Sequence, residues 1–319
     1  NAPFGSGPVT ENSSGGVVID LNGKTISNAL TLYSASSPTV YALTDSTGSG
    51  VQQTGTVTLG SNVLIGLGTG KTMTINGVIA DTNGYVLTIN MTGDTGTVIF
   101  GGANTYTGAT TVNAGTLRVT GSGTLGNTSS LLTISSATVD IQNALTIGSL
   151  SMSGTSPAIT NASGTSSLVV NGTATIANSI TTSGAQTYTG AVTLGAASSL
   201  TTGSSAGNIL FSSTVSGANT LSTTTTGDTT FTGAIGGTPL TGLTINTATL
   251  SAAAITLATN NAISITNSGT GSITGIIAGT GVTLTKAGAG VLTLGGSSAS
   301  TYTGGTTIKA GTVQAATNN

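Results

Sequence analysis

The chain has 319 residues and a net charge of −2, but only 4% of its residues are charged and it has neither cysteine nor histidine. A typical soluble domain is about 25% charged, so the composition excludes most ordinary enzymes. Basic residues occur only singly, which removes the basic stripe that a nucleic acid would need. Disulfides and the commonest zinc, haem and general-base sites are excluded as well. We expect no nucleic-acid partner, no cofactor and no metal.

Apolar runs such as Val63–Leu67 are far shorter than the ~18 residues needed to cross a bilayer, so we expect no transmembrane segment. The sequence begins at Asn1 without a methionine or a signal peptide, which indicates a processed or excised piece. Mean hydropathy is +0.33, and Val, Ile, Leu and Thr are plentiful. The composition therefore predicts a packed β core rather than disorder.

Short alternating strands follow one another from the N-terminus onward. The first reads Val17-Val18-Ile19-Asp20-Leu21 and ends at Asn22-Gly23. Later apolar pairs with a spacing of two, such as Leu87/Ile89 and Ile263/Ile265, are each followed by Gly, Asn or Ser corners. This pattern is typical of strands with one face inward and one outward, and no stretch has a helical period.

The end of the chain repeats an upstream pattern. Residues Gly290–Ala315, here called the downstream copy, read GVLTLGGSSASTYTGGTTIKAGTVQA. Residues Gly96–Val119, the upstream copy, read GTVIFGGANTYTGATTVNAGTLRV, and Tyr106 aligns with Tyr302. Each copy predicts three strands separated by two glycine-rich corners, the second of them at an Ala-Gly pair.

Two partial copies lie between them, around Tyr188 and Phe231. The aromatic residues are 82 residues apart from Tyr106 to Tyr188, 43 from Tyr188 to Phe231 and 71 from Phe231 to Tyr302. These distances are close to four, two and three coils of about 20 to 24 residues.

One coil of that length cannot bury its own apolar face, but stacked coils pair strands in parallel at about 4.8 Å and share an interior. The sequence therefore predicts an all-β parallel β-solenoid of about 14 coils over residues 1–319, forming a single elongated rod roughly 70 Å long. A β-sandwich also has short alternating strands, but it does not predict a distant copy of a three-strand motif.

The motif in the two copies resembles the autotransporter-associated β-strand repeat, also called the passenger-associated transport repeat. Residues 4–23 resemble the segment that usually follows such a repeat, and residues 203–286 are similar to the looser repeats of filamentous haemagglutinin. The resemblance implies a right-handed β-helix that is extracellular or on the bacterial cell surface, in adhesins or fibres.

A second internal similarity concerns the order of segments. Residues Ser122–Leu150, which follow the upstream copy, resemble Phe4–Leu32 at the beginning of the chain. A segment placed after Asn319 should then resemble the one that begins at Asn1, with Asn318-Asn319 and Asn1-Ala2-Pro3 as two halves of one turn. We expect either one period of a longer tandem array or a subunit that stacks head to tail on itself.

Polysaccharide-degrading enzymes also use β-helices, so the carboxylates and one glycine motif are candidates for a catalytic or binding site. Asp20 and Asp45 are 25 residues apart and could lie on adjacent coils, and Asp81 and Asp94 are 13 residues apart. Neither pair is joined by a further acid or by Lys or Arg in an evident cluster, so we expect solvated singles or corner caps. Gly121, Gly123 and Gly126 spell GxGxxG, but no helix follows, so we interpret them as a corner.

Threonine rows suggest an alternative function, a binding module for ice or glycans. T-x-T occurs at Thr56/Thr58, Thr72/Thr74, Thr173/Thr175, Thr187/Thr189, Thr247/Thr249, Thr283/Thr285 and Thr301/Thr303. Stacked on one flat face, such pairs would present ordered hydroxyls, although threonine is also simply a good strand former. Sugars also stack on tyrosines, but Tyr33, Tyr41, Tyr85 and Tyr188 have no convincing spacing, and we expect them to fill corners.

The sequence thus predicts a non-enzymatic structural protein with no catalytic, cofactor-binding or metal site. Its function is that of a stalk, fibre or adhesin segment, built by coil stacking. The partners we expect are other copies or tandem repeats of itself and surface glycans of a host or neighbouring cell.

Overall fold

The structure is a computed structural model, and it describes residues 4–12, 16–34, 40–48, 51–53, 55–203, 207–296 and 299–316. Every regular element in these ranges is a strand, and together the strands form a parallel β-solenoid of about 14 coils. This confirms the predicted fold class. The expected turn between Asn318-Asn319 and Asn1-Ala2-Pro3 lies outside the described residues.

The chain divides into two compact units, Asn1–Thr165 and Ser166–Asn319. The described strands of the first unit are β1 (Val9–Thr10), β2 (Ile19–Asp20), β3 (Leu30–Leu32), β4 (Leu43–Thr44), β5 (Val51–Gln53), β6 (Val57–Leu59), β7 (Val63–Ile65), β8 (Thr72–Ile75), β9 (Ile79–Ala80), β10 (Leu87–Ile89), β11 (Thr97–Phe100), β12 (Thr110–Val112), β13 (Thr116–Val119), β14 (Leu131–Ser135), β15 (Thr138–Ile141), β16 (Ala144–Ile147), β17 (Ser149–Ser153) and β18 (Ala158–Thr160).

The described strands of the second unit are β19 (Ser167–Val170), β20 (Ala174–Thr182), β21 (Gln186–Tyr188), β22 (Val192–Thr202), β23 (Ile209–Phe211), β24 (Val215–Ser216), β25 (Thr220–Thr224), β26 (Asp228–Phe231), β27 (Ile235–Leu240), β28 (Gly242–Thr247), β29 (Thr249–Ala252), β30 (Ile255–Leu257), β31 (Ala262–Asn267), β32 (Thr270–Ile273), β33 (Ile277–Ala278), β34 (Thr283–Ala287), β35 (Val291–Leu294), β36 (Thr306–Ile308) and β37 (Thr312–Ala315).

The strands of the first unit other than β16 stack in three parallel columns. One contains β1, β3, β6 and β9, a second runs from β2 through β4, β7, β10, β12 and β14 to β17, and a third runs from β5 through β8, β11, β13 and β15 to β18. Because the strands of one coil lie in different columns, a strand hydrogen-bonds to the coils before and after it rather than to its chain neighbours.

The second unit also has three columns. The β19–β37 column contains β19, β21, β23, β26, β29, β32, β35 and β37. Strands β20 and β22 each bend through a corner, where Asn178 has a φ of 70° and the register shifts between Ile176 and Asn178. Their first halves begin a column that continues through β24, β27, β30 and β33, and their second halves begin the β25–β36 column, with β25, β28, β31, β34 and β36.

Alternate residues of each strand point into the solenoid. In the β25–β36 column, Leu200, Ile245 and Ile265 occupy one inward row and are almost wholly buried. Burying one such side chain stabilises the fold by about 1.5–3 kcal/mol. Since the row is shared by successive coils, no coil has a core of its own.

Corners are tight enough to require glycine at certain positions. Gly115 and Gly311, each following alanine in its copy, have φ of 61° and 74°. A Cβ atom at Gly115 would lie 2.4 Å from the carbonyl oxygen of Gly96, and one at Gly311 would lie 2.3 Å from that of Gly290. Only glycine satisfies both the positive φ and the close approach.

The predicted aromatic spacing is confirmed in one part and wrong in another. Tyr188 pairs in register with Phe211, and Phe211 pairs with Phe231, so these 43 residues span two coils. Phe231 pairs onward through Ala252 and Ile273 to Leu294, not to Tyr302. Tyr302 stands after β35, beyond that column, and so it is not three coils above Phe231.

Candidate functional surfaces

The upstream and downstream copies have the same coil geometry. In the upstream copy β13 pairs directly on β11, with Thr97 beside Thr116, and in the downstream copy β37 pairs on β35, with Val291 beside Thr312. The three predicted strands are thus one complete coil plus the strand that starts the next. This confirms the predicted order of strand, corner, strand, corner and strand.

Each copy holds its tyrosine in the same way. The Tyr106 hydroxyl lies 2.6 Å from Thr110 Oγ1, and the Tyr302 hydroxyl lies 2.7 Å from Thr306 Oγ1. The backbone N–H of Tyr106 donates to the carbonyl of Ile79 at 3.3 Å, and that of Tyr302 donates to Ile277 at 3.2 Å. The tyrosine therefore joins its own coil to the preceding coil and to the strand that follows it.

A buried donor caps the Ala-Gly corner in both copies. Asn90 donates from Nδ2 to the carbonyls of Gly96 and Ala114, at 3.0 and 3.1 Å. In the downstream copy Lys286 donates from Nζ to Ala287 and Gly288, at 2.6 and 2.9 Å, and more distantly to Ala310.

Lys286 is wholly buried, in register with the inward Ile265 of the preceding coil. Burial lowers the pKa of its ammonium group, because the charged form loses hydration. The alternating pattern did not reveal this role, since an inward position is expected to be aliphatic.

The two copies differ in what covers them. In the upstream copy, β12 pairs with β14 of the next coil, and Val112 has no exposed surface. In the downstream copy, β36 pairs only with β34 among the described residues, and Ile308 is 53% exposed. Within the part of the chain that the structure describes, β36 is therefore an edge strand, and its inward Ile308 faces solvent.

An identical asparagine corner occurs twice in the first unit. Asn143 donates from Nδ2 to the carbonyls of Gly121 and Gly123, at 3.0 and 2.8 Å. Asn28 donates from Nδ2 to those of Gly5 and Gly7, at 3.0 and 2.7 Å. Gly5 and Gly121 both have a positive φ, of 70° and 62°. The similarity of Phe4–Leu32 to Ser122–Leu150 thus extends to hydrogen bonds, and the predicted corner at Gly121 and Gly123 is confirmed.

Asp20 and Asp45 lie on adjacent coils, as predicted, because β2 pairs with β4. Burial opposes ionisation of Asp20, but hydrogen bonds from Ser46 and Asn22 and the charge of Lys71 outweigh it and lower its pKa. The expectation that no lysine joins this pair was wrong, since Lys71 also donates to the Ser46 carbonyl.

Asp45 is held in a similar corner. Burial opposes its ionisation too, but hydrogen bonds from Gly23 N–H and from the N–H and hydroxyl of Thr47 outweigh it and lower the pKa of the carboxyl. The two carboxylates thus accept hydrogen bonds at corners of the solenoid and lie beside an ammonium group, which is the arrangement of a structural cap.

Asp81 and Asp94 have separate partners. Asp81 accepts from the N–H groups of Tyr85 and Thr107, at 2.6 and 2.9 Å. Asp94 accepts from Met91 N–H at 2.8 Å and from the Tyr41 hydroxyl. Burial, followed by the contact with Asp94, raises the pKa of Tyr41. Both carboxylates cap corners, so the structure brings together no acid–base pair from these four residues.

Glu11 is a buried carboxyl that the sequence did not single out. It is 3% exposed and lies in the first coil, where it accepts from the N–H of Tyr33 at 2.6 Å. Burial raises its pKa to about 7, although the Tyr33 hydrogen bond acts in the opposite direction. Glu11 directly follows β1, whose residues pair with β3.

Tyrosines were expected to fill corners, and Tyr188 does not. It is fully buried in β21 and stacks on Phe211 at 5.1 Å between ring centroids, and Phe211 stacks on Phe231 at 4.7 Å. This stack fills the interior. Tyr33, Tyr41 and Tyr85 are only half-buried.

The seven T-x-T pairs do not stack on one face. Within the second unit, Thr175 lies in the first half of β20, Thr187 in β21 and Thr283 in β34, which belong to three different columns. Thr247 points inward and is 4% exposed. The predicted threonine row, as those pairs define it, is therefore wrong.

A shallow polar groove of about 220 Å³ lies along a corner of the second unit. It is lined by residues that include Asn246, Thr247, Thr266 and Asn267. Asn267 donates to the carbonyls of Gly269 and Val291, and its buried Oδ1 accepts no hydrogen bond within the described ranges.

Within the residues that the structure describes, no three His, Cys, Asp or Glu side chains come close enough to hold a metal ion. The same part of the chain contains no helix long and apolar enough to cross a membrane.

The coil shared by the upstream and downstream copies matches a known family of repeats. Residues 93–119 and 284–315 match the family model of the passenger-associated transport repeat. Two stretches of the chain are therefore similar to this repeat. They coincide with the upstream and downstream copies and confirm that part of the resemblance, whereas the haemagglutinin-like character of residues 203–286 stays a prediction. No significant match was found among curated proteins or among solved structures.

Proposed function

We propose that the chain is a structural segment of a secreted or cell-surface passenger, acting as a stalk, fibre or adhesin segment. The two stretches similar to the transport repeat and the parallel β-solenoid support this role. Its mechanism is coil stacking: backbone hydrogen bonds run from coil to coil, and the interior is shared. Such a scaffold needs no charged site, in keeping with carboxylates that cap corners.

We further propose that another coil of the same kind covers the downstream copy, in tandem or from a second copy of the chain. The matched asparagine corners carry this proposal. In the first unit, the upstream copy is followed by the corner that Asn143 makes with Gly121 and Gly123. The same corner stands at Gly5, Gly7 and Asn28. A segment built like the first described coil is therefore suited to follow the downstream copy.

The edge strand supplies the driving force. Covering β36 and β37 would pair their backbone groups and bury Ile308, and full burial of one such side chain is worth about 1.5–3 kcal/mol. Several residues of these two strands are exposed together, so an end-to-end joint would bury a continuous surface rather than a single side chain.

Light scattering and electron microscopy of the purified chain test the joint. We expect dimers or filaments, which Ile308→Lys abolishes because its inward charge would be buried at the joint. Thr307→Lys is the matched control, since it places the same charge at the neighbouring, outward position of the same strand. A covalent tandem of two copies should melt at a higher temperature than one copy.

A chain that stays monomeric at every concentration, together with a tandem that melts at the same temperature as one copy, would contradict the joint. The surface location is tested separately, by protease treatment and antibody labelling of intact producing cells. Protection of the segment from protease until the cells are lysed would contradict it.

A further inference from the structure

One face of the second unit presents hydroxyls in unbroken register. In the β25–β36 column, and in the second halves of β20 and β22 that begin it, one outward row is made only of Ser and Thr. The row contains Ser179, Ser199, Ser222, Thr244, Ser264 and Thr285.

A second outward row runs beside it, two residues further along each strand. It contains Thr181, Thr201, Thr224, Asn246 and Thr266 and ends one coil earlier than the first row, because Ala287 follows Thr266 in register. We call the two rows together the hydroxyl face. The T-x-T motif does not reveal it, because four of its five pairs are Ser-x-Thr and the fifth is Thr244/Asn246, and because Thr-x-Thr also occurs at corners and inward positions.

The hydroxyl face forms a two-dimensional grid. Successive strands are about 4.8 Å apart, and residues at i and i+2 of one strand are about 6.7 Å apart. From Ser198 onward the pairing of β22 with β25, β25 with β28 and β28 with β31 has no register shift. Its positions are half-buried or exposed, and none is charged. Its Ser and Thr hydroxyls make no hydrogen bond to any described residue.

The neighbouring β19–β37 column shows that this uniformity is not a general property of the solenoid. Its outward rows also contain Thr230 and Ser251, but they are interrupted by Leu210, Asp228 and Val291. The Asp228 carboxylate also accepts the Thr249 hydroxyl, so fewer hydroxyls are available on that face.

We propose that the hydroxyl face binds the surface of ice. A hydroxyl donates one hydrogen bond and accepts two, so a fixed grid of hydroxyls can replace a layer of lattice water. The grid is rigid because each strand is paired on both sides, and little entropy is lost on binding. Each contact is weak, but many act at once because ice repeats in two dimensions as the grid does.

Ice suits this face better than a glycan does. Sugar sites are concave and use aromatic stacking together with a few fixed polar groups. The hydroxyl face has no aromatic residue. The shallow groove at its edge, which Asn246 and Thr266 help to line, has none either. The proposal is independent of the structural role above, because a single copy of the second unit already carries the whole face.

Inhibition of ice recrystallisation at micromolar protein tests the proposal. We expect the chain to slow crystal growth, and Thr244→Lys, in the middle of the grid, to weaken this effect about tenfold or more, as loss of a central contact does. Thr230→Lys puts the same charge on the β19–β37 column and should leave the effect unchanged. Circular dichroism and the melting temperature check that both variants fold.

A glycan array with the unmodified chain, Thr244→Lys and Thr230→Lys tests whether the hydroxyl face binds a glycan instead of ice. No effect of the chain on ice, or equal losses in the two lysine variants, would overturn the proposal. So would binding to a glycan that Thr244→Lys abolishes, if the chain has no effect on ice.

Discussion

The upstream and downstream copies share one local structure but have different surroundings. Both place the tyrosine hydroxyl against a threonine four residues later and hydrogen-bond the tyrosine N–H to the preceding coil. Yet Val112 is fully buried in one, while Ile308 is 53% exposed in the other. The motif thus specifies the shape of a coil, and the next coil specifies how much of its apolar surface is buried.

This difference separates two contributions to stability. The bonds within a copy and to the coil beneath it are present in both. The contribution of the coil above is present only in the upstream copy, within the described residues. Paired substitutions at matched positions therefore measure what one covering coil adds.

The largest expected difference in stability between the upstream and downstream copies is at their tyrosines. Tyr106→Ala removes a fully buried ring and should cost about 3–5 kcal/mol. Tyr302 is only half-buried, so Tyr302→Ala should cost about 1–2 kcal/mol of local stability. Native-state hydrogen exchange of the amides of β12 and β36 measures both values. Equal costs would show that coverage by the next coil adds nothing at this position.

A smaller difference is expected at the glycines that follow the tyrosines. A Cβ atom at Gly108 would lie 1.9 Å from the Tyr85 carbonyl oxygen, and one at Gly304 would lie 2.2 Å from that of Val282. Gly108→Ala should cost about 1–3 kcal/mol, because coils on both sides resist displacement. Gly304→Ala should cost less, since an open coil shifts outward freely. Thermal unfolding compares the two, and a larger cost at Gly304 would contradict this account.

The first described coil, which contains Glu11, should show a pH dependence. The pKa of Glu11 is raised from 4.5 to about 7 by burial, so the folded state binds this proton more tightly than the unfolded state does. Stability is then highest below about pH 4.5 and falls as the pH rises toward about 7.

Calorimetric melting temperatures between these pH values test it. Glu11→Gln, which stays neutral, should flatten the slope. An unchanged slope in this variant would assign the dependence to another group.

The smallest expected effect is that of the tyrosine hydroxyls. Tyr106→Phe leaves Thr110 Oγ1 buried without its partner and should cost about 1 kcal/mol. Tyr302→Phe should be nearly neutral, because water reaches Thr306, which is exposed. Hydrogen exchange at the same amides detects the difference, and a measurable loss at Tyr302 would mean that this bond is shielded from water.

Much of the fold could be predicted from particular residues. The alternation in Leu292-Thr293-Leu294, the Gly-Gly and Ala-Gly corners and the distant copy of the whole motif together predicted stacked three-strand coils. The 43 residues from Tyr188 to Phe231 predicted two coils correctly. Phe211 lies between them and was not recognised as a member of the series, because its strand lacks the pattern Thr, aromatic residue, Thr, Gly that the other two share.

The candidate surfaces were predicted less well. Lys71 is 51 residues from Asp20 in sequence, so proximity along the chain does not indicate that the two side chains lie close together in the fold. The capping role of Lys286 was not predicted, because the carbonyls that accept its hydrogen bonds belong to corners of its own and the next coil. The hydroxyl face was missed because its rows run across strands, and a two-residue motif reads only along one strand.

The sequence by itself determined the coil: its strands, its corners and the residues that must be glycine, because these depend on backbone conformation and on a period of two. Only the tertiary structure decided which residues of successive coils lie side by side in one row. The reason is that coil length varies, and one irregular corner changes the register of every residue after it. The downstream copy has the same strands and corners as the upstream copy, yet the sequence did not show that its tyrosine lies beyond the column of Phe231.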